Sequence, residues 1–498
     1  MQGNTLRGIS LRIQSTSEPK KQEQGPLIRD YSRVESAVLG KLSLQKESVE
    51  TILPTLGGQM YHLASWIKSG RLLFEPAWSY FSTERIDDTL LEKAWSQLRQ
   101  RHPILRTCFA AISPSEALQV VMKPTGDNTS TFKVIHSPLP VTEAAKEQAK
   151  EEVLNPSSLF VPPVRLRLLK ASDRDGIQVL INHAAYDAWT MPMFVIELSK
   201  LYRGEPLDTN PDFPGFVDFS VRSVRDLDEK AYWTSAVGSS APTLIKGRNQ
   251  SIGATTDQLF VGVWEKVKNL VEMETICRSA GIGLQSAVLL AVSRCLARAT
   301  GVDSPTMGLY QTGRSASFAE IERLSGPCLN VTPFTVSEAA RGDAGLLDKA
   351  RGIQTSLAER VLYEQSSLRD ILRHWASTRG TQTPLFNTWV NLLWMQQAQP
   401  EANGVKRKLF EPLRIGVPTD FLPSEPLPVV DETSTSVSAL DTSYIPDANV
   451  YIDVGPDART DTIGFGVRVE GGLLAEDEVQ ALVGDIGGEI EGIVSSLR

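Results

Sequence analysis

The sequence predicts an α/β protein made of two units laid end to end. Apolar, β-branched strands run into helices whose apolar residues recur every three to four positions, as in 177–181 followed by 191–202. The same order returns in the second half. Between the two lies a stretch rich in Gly, Ser and Thr, from Gly238-Ser239-Ser240-Ala241-Pro242 to Gly253-Ala254-Thr255-Thr256. The expected division is a lead-in over 1–48, a first unit over 49–237, a crossing over 238–256 and a second unit over 257–498. A chain of 498 residues, 41% of them apolar, can bury a core in each unit.

The first thirty residues are polar, poor in aromatics and read as mobile linker. Ser82-Thr83 opens a helix over 84–100 with Ile86, Leu90, Leu91, Ala94, Trp95 and Leu98 on one broad face, a core stripe rather than a ligand site. Strands follow at 118–122, 166–169 and 177–181, then the helix over 191–202, which tolerates Pro192 in its first turn and stops at Gly204. Mixed charges between Glu143 and Glu152 predict a solvated helical face. The second unit opens with an apolar helix over 284–299 stopped by Gly301, and a strand at 307–310 runs into Thr312-Gly313-Arg314-Ser315. A strand over 329–336, a helix over 346–361, a strand over 386–394 and a closing helix over 476–497 complete it, with 396–449 expected to be irregular.

A formal net charge of −8 argues against a phosphate-binding face, which carries a basic excess. Cys108, Cys277, Cys295 and Cys328 are scattered without a Cys-x-x-Cys pair, and the N-terminus has no apolar leader; free thiols in a reducing cytoplasm are expected. No apolar run is long enough to span a bilayer, so neither membrane nor nucleic acid is an expected partner. With five histidines and no His/Cys/carboxylate cluster, no metal is expected.

The chemistry is expected at Ile181-Asn182-His183-Ala184-Ala185-Tyr186-Asp187-Ala188-Trp189. His183 leaves the end of a strand, where a rigid scaffold presents side chains to a cleft. An imidazole there can accept a proton near neutral pH. Asp187 can cap the following helix or pair with an arginine. Taken alone, His-x-x-x-Asp fits a packed histidine beside a helix cap better than a catalytic one.

Other segments change its meaning. Leu53-Pro54-Thr55-Leu56-Gly57-Gly58-Gln59, Arg101-His102-Pro103-Ile104-Leu105-Arg106-Thr107-Cys108-Phe109, Gly215-Phe216-Val217-Asp218-Phe219-Ser220, Thr312-Gly313-Arg314-Ser315, Leu324-Ser325-Gly326-Pro327-Cys328-Leu329-Asn330 and Pro384-Leu385-Phe386-Asn387-Thr388 stand around it in that order. From about Val49 to the C-terminus the chain resembles the condensation domains of nonribosomal peptide synthetases, and its His-Ala-Ala-Tyr-Asp-Ala-Trp is most similar to fungal ones, hydroxamate siderophore synthetases included. The resemblance implies two chloramphenicol-acetyltransferase-like subdomains in a V, an active site where they meet, and a loop of the second crossing to the first. It implies no cofactor bound by the domain itself. Upstream donor and downstream acceptor carrier (thiolation) domains deliver thioesters on phosphopantetheine arms, beside an adenylation domain of the same synthetase, and the excised domain is expected to be monomeric.

By that resemblance His183 is the second histidine of His-His-x-x-x-Asp-Gly, acting as base, hydrogen-bond acceptor or positioner of the attacking amine. Asp187 matches the aspartate, with Arg314 as its chosen partner and Arg106 the next candidate. Asn182 replaces the first, structural histidine. Ala188 replaces the final glycine, where its methyl narrows the donor path or marks a subfamily habit. Arg101, His102 and Arg106 fit support of the fold at a helix C-terminus, where cations are favoured, better than catalysis. Tyr310 and Ser315 flank Arg314, and either hydroxyl could donate to a developing oxyanion or serve an ordinary strand end. With Ala188 and Trp189 they are expected along the substrate path, as are Asn330 and Asn387, unless those amides only satisfy backbone. Three functions stay open: an amide-forming condensation domain, including a terminal one that cyclises or releases its peptide; a stand-alone acyltransferase using acyl-coenzyme A, against which the extra motifs count; and a noncatalytic module that docks carriers.

Overall fold

The computed structural model describes residues 31–498 apart from 125–130, 154, 210–211, 226, 248–259, 340–341, 343, 395–407, 416–434 and 471. The linker expected over the first thirty residues, the end of the crossing and much of 396–449 lie outside the described residues. The first half comprises α1 Ser32–Leu42, β1 Val49–Pro54, α2 Gly57–Lys68, β2 Ala77–Ser82, α3 Asp88–Arg101, β3 Thr107–Ser113, β4 Glu116–Met122, β5 Phe132–His136, α4 Val141–Val153, β6 Val164–Lys170, β7 Asp175–Ile181, α5 Thr190–Tyr202, α6 Phe213–Arg225 and α7 Glu229–Val237. The second comprises β8 Phe260–Lys268, α8 Leu270–Ser279, α9 Leu284–Thr300, β9 Thr306–Gln311, β10 Asn330–Thr335, α10 Leu346–Arg360, α11 Leu368–Arg379, β11 Thr388–Leu392, β12 Phe410–Pro412, β13 Val450–Asp457, β14 Thr462–Glu470 and α12 Glu476–Ser496.

Three sheets result: β1-β4-β3, β12-β2-β7-β6-β5 and β10-β9-β11-β13-β14-β8. β7 is central in the second of these and buried along its whole length, which suits its apolar run. Its two polar side chains are bonded inside: Asp175 accepts from Arg85 and the Ile86 N–H, and the Gln178 amide N–H groups donate to Ser79 and the Ala145 carbonyl. In the second half, α9 is buried nearly all round and ends at Gly301, whose φ of 71° is the left-handed cap that glycine adopts without penalty.

The halves are stitched together. β12, late in the chain, pairs antiparallel with β2 and so extends the first half's sheet. Tyr61 and Ala64 of α2 share one apolar cluster with Trp233, Trp375, Phe386, Trp389 and Tyr451. A Cβ built on Gly58 would lie 1.8 Å from the Leu329 carbonyl oxygen, so only glycine lets α2 approach β10 this closely.

Some expectations shift. The helix expected from Glu84 begins at Asp88, because Asp175 holds the Ile86 N–H (2.7 Å) and Asp87, not Ser82-Thr83, caps it by accepting from the Leu90 N–H (2.8 Å). Leu90 is 49% exposed, which narrows the apolar face to Leu91, Ala94, Trp95 and Leu98. The solvated face between Glu143 and Glu152 stops before Glu152, which is buried and paired with Arg165 and Arg167. The strand expected from Phe386 starts at Thr388, since Asn387 is tied to the crossing instead.

Candidate active site

The site forms where β7 ends. Asn182 caps a single turn, His183–Ala185, its side-chain oxygen accepting from the Ala184 N–H at 3.0 Å. The His183 N–H donates to the Phe74 carbonyl at 2.7 Å, and Gln59 of α2 donates to the Ala184 carbonyl at 2.9 Å, so the turn is held from both sides. The half-buried His183 ring lies between two others: His62 is stacked on it with centroids 4.0 Å apart and planes 13° from parallel, and Tyr186 at 4.4 Å and 25°. Phe74 meets its edge. Burial pulls the proton affinity of His183 below the ordinary histidine range, only partly offset by nearby backbone carbonyls and the charge of Asp187. The ring is therefore neutral near pH 7 and can accept a proton or hydrogen bond.

Asp187 serves the scaffold. It accepts from the Trp189 and Thr190 N–H groups (3.1 and 2.8 Å) and from the Thr190 hydroxyl (2.7 Å), capping α5. Arg314, from the second half, donates to both of its oxygens at 3.2 and 3.0 Å, and the Cys328 N–H adds a third-element contact at 3.1 Å. The two side chains are 6% and 5% exposed. Burial disfavours the Arg314 charge, but Asp187 more than restores it, and the guanidinium titrates above its ordinary range. Arg314 also donates to the carbonyls of Ile321, Leu324 and Gly326 and lies over the Trp189 ring. Gly313 makes this approach possible: at φ 67° its Cα passes so close to the Cys328 carbonyl that a Cβ would sit 1.7 Å from the oxygen.

The remaining positions divide. Trp189 is half-buried and donates to the Glu322 carbonyl, whereas Ala188 is exposed. The Tyr310 hydroxyl is paired with that of Tyr61 at 2.9 Å. Ser315 is half-buried, and its backbone bonds the buried carboxyl of Glu364. Asn330 is fully buried and its amide donates to the Glu364 and Ser366 carbonyls, which ties down the end of β10 instead of lining an open path. Asn387 likewise clasps the Ile245 N–H and carbonyl and faces the crossing. Arg106 does not support this site. Its guanidinium holds the Arg99, Gln100 and Met122 carbonyls and the Glu50 carboxylate, fastening the three-stranded sheet. His102, fully buried, bonds Glu197 at 2.6 Å.

Several contributors escaped the sequence reading: His62, Tyr186, Thr190, Cys328 through its N–H, and Glu364. Thr190, three residues after Asp187, carried a local capping signal; the others come from distant elements or depend on ring geometry. Among the described residues no group of three or more His, Cys, Asp or Glu is placed to hold a metal ion, and no single helix is long and apolar enough to cross a membrane.

Comparison with known proteins matches residues 50–414 to the family described as Condensation domain. The chain belongs to that family. This condensation domain is 65% identical, over all of its length, to 10% of the nonribosomal peptide synthetase sidC of Aspergillus fumigatus. It is 34% identical over 99% of its length to 11% of fso1, a nonribosomal peptide synthetase of Omphalotus olearius. It is 28% identical over 93% of its length to 10% of the siderophore peptide synthetase fer3 of Mycosarcoma maydis. The chain thus spans about a tenth of these curated relatives. Among solved structures, the condensation domain of the monacolin K polyketide synthase MokA superposes with a TM-score of 0.65 at 17% identity, covering 90% of this chain and 98% of that one. The epimerization domain from the third module of tyrocidine synthetase B gives 0.64 at 13%, covering 91% and 99%. These two likenesses are of fold.

Proposed function

We propose that this condensation domain forms an amide bond between a carrier-bound acyl or peptidyl thioester and a carrier-bound amine, within a fungal synthetase of siderophore assembly. The observation that carries the reading is the neutral imidazole of His183, set at the junction of the two halves four residues from a buried ion pair that joins them. The amine nitrogen attacks the thioester carbonyl carbon; the C–N bond forms and the C–S bond breaks. His183 accepts the amine's hydrogen bond, takes its proton as the C–N bond forms, and returns it to the departing thiolate of the phosphopantetheine arm. Holding the two arms together contributes most, since proximity alone is worth roughly 7–11 kcal/mol in favourable cases.

The carriers and the adenylation domain are expected on the same cytoplasmic polypeptide, because the relatives are synthetases about ten times longer. The names of fer3 and of the ferrichrome siderophore peptide synthetase of Mycosarcoma maydis, 28% identical over 90% of this chain, support a siderophore product. Mixing the domain with its neighbouring loaded carriers and weighing both by mass spectrometry tests the reading. Transfer of the acyl group to the acceptor's amine is expected. Carriers that bind without transfer, release or cyclisation would leave only a docking role.

A further inference from the structure

We propose that His62 is a positioning residue for condensation, holding the His183 ring in its working plane by stacking. The inference rests on the reading that His183 handles the amine's proton. A histidine used in proton transfer is commonly oriented by a carboxylate or carbonyl that accepts from its second nitrogen. Here the buried Nδ1 of His183 has no side-chain partner, only the backbone carbonyls of His183 and Tyr186 near the ring, and Asp187 is committed to Arg314 and the start of α5. What sets the plane of the ring is the pair of faces against it, His62 at 4.0 Å and Tyr186 at 4.4 Å, since a carbonyl at one nitrogen leaves the ring free to tilt.

His62 is an expensive filler. It is 1% exposed and its Nε2 is buried without a partner, an arrangement that costs about 1–3 kcal/mol and that leucine would avoid. Its helix also carries Gln59, which grips the Ala184 carbonyl, and Tyr61, whose hydroxyl meets Tyr310 of the second half. One helix therefore sets the backbone and the ring plane of the motif and reads the position of the other half. Burial and the neighbouring His183 keep His62 itself neutral, so the two faces never carry like charge together. The other ionisable groups around the stack are Tyr61, Tyr186, Asp187 and Tyr310.

The test compares His62→Phe, His62→Leu and His62→Ala in the whole domain, with melting temperatures to verify folding. Phenylalanine keeps a flat face and should rescue kcat to within about threefold of wild type, while leucine and alanine should lower it tenfold or more, with KM for either loaded carrier unchanged. Leucine as fast as phenylalanine would overturn the proposal, since space-filling would then suffice. A second readout needs no turnover: ring NMR of histidine-labelled protein should show His183 titrating below the ordinary range in wild type and His62→Phe, and moving upward in His62→Ala. An unmoved titration in His62→Ala would also overturn it. A wild type that transfers nothing contradicts the proposed function instead, and the titration then decides the stack alone.

Discussion

His183 and Asp187 lie four positions apart and do different work. The imidazole is kept neutral by burial, so its working form persists below the ordinary histidine pKa, and the acid limb of kcat/KM should fall below pH 6.5. A limb above 6.5 would mean that another group is being titrated. Asp187 holds the halves together through Arg314, and removing either partner strands a buried charge. Asp187→Ala and Arg314→Ala should each cost about 3–5 kcal/mol, with the double variant little worse than either single. Additive losses in a denaturation cycle would show that the pair does not act as a unit. Glu364 offers a test by pH. Burial pushes its carboxyl up to about 8 from 4.5, so stability present at low pH is lost as pH rises from 4.5 through 8. Glu364→Gln should therefore melt near wild type at pH 5 and above it at pH 8; the same difference at both would contradict this placement.

At the scale of elements, much was legible. The alternation in β7, the helical spacing of α5 and α9, and the glycine that stops α9 are local signals, and the strands and helices stand where those signals fall, within a few residues. The departures have distant causes. α3 starts late because Asp175, 89 positions away, holds the Ile86 N–H, and Asn387 leaves its strand for Ile245, 142 positions away. No window of sequence contains both partners. The pairing of Asp187 with Arg314 was read from ordered motifs and the family they resemble, and spacing alone would not have chosen Arg314 over Arg106. The stack of His62 on His183 had no sequence signal, because a histidine on the apolar face of a helix reads as core. Gly58 tests the contact between α2 and β10. Gly58→Ala should destabilise the domain by roughly 1–3 kcal/mol and lower turnover, because the methyl meets backbone that cannot rotate away. An unchanged melting temperature would mean that the halves separate freely there.

For the whole molecule, the consequence is a site that exists only when the halves are together. The turn carrying His183 belongs to the first half, the cation that pins its aspartate to the second, and β12 of the second half completes the first half's sheet. The domain spans about a tenth of its curated relatives, and under the proposed function its two substrates would be brought to this junction by carriers on a longer assembly. The decisive measurement is acyl transfer between the two loaded carriers, followed by intact-protein mass spectrometry, for wild type and His183→Ala at matched melting temperature. The account predicts transfer by wild type and a loss of about a hundredfold or more in the variant, a difference of about 2.7 kcal/mol in the barrier. Transfer by His183→Ala at the wild-type rate would contradict it.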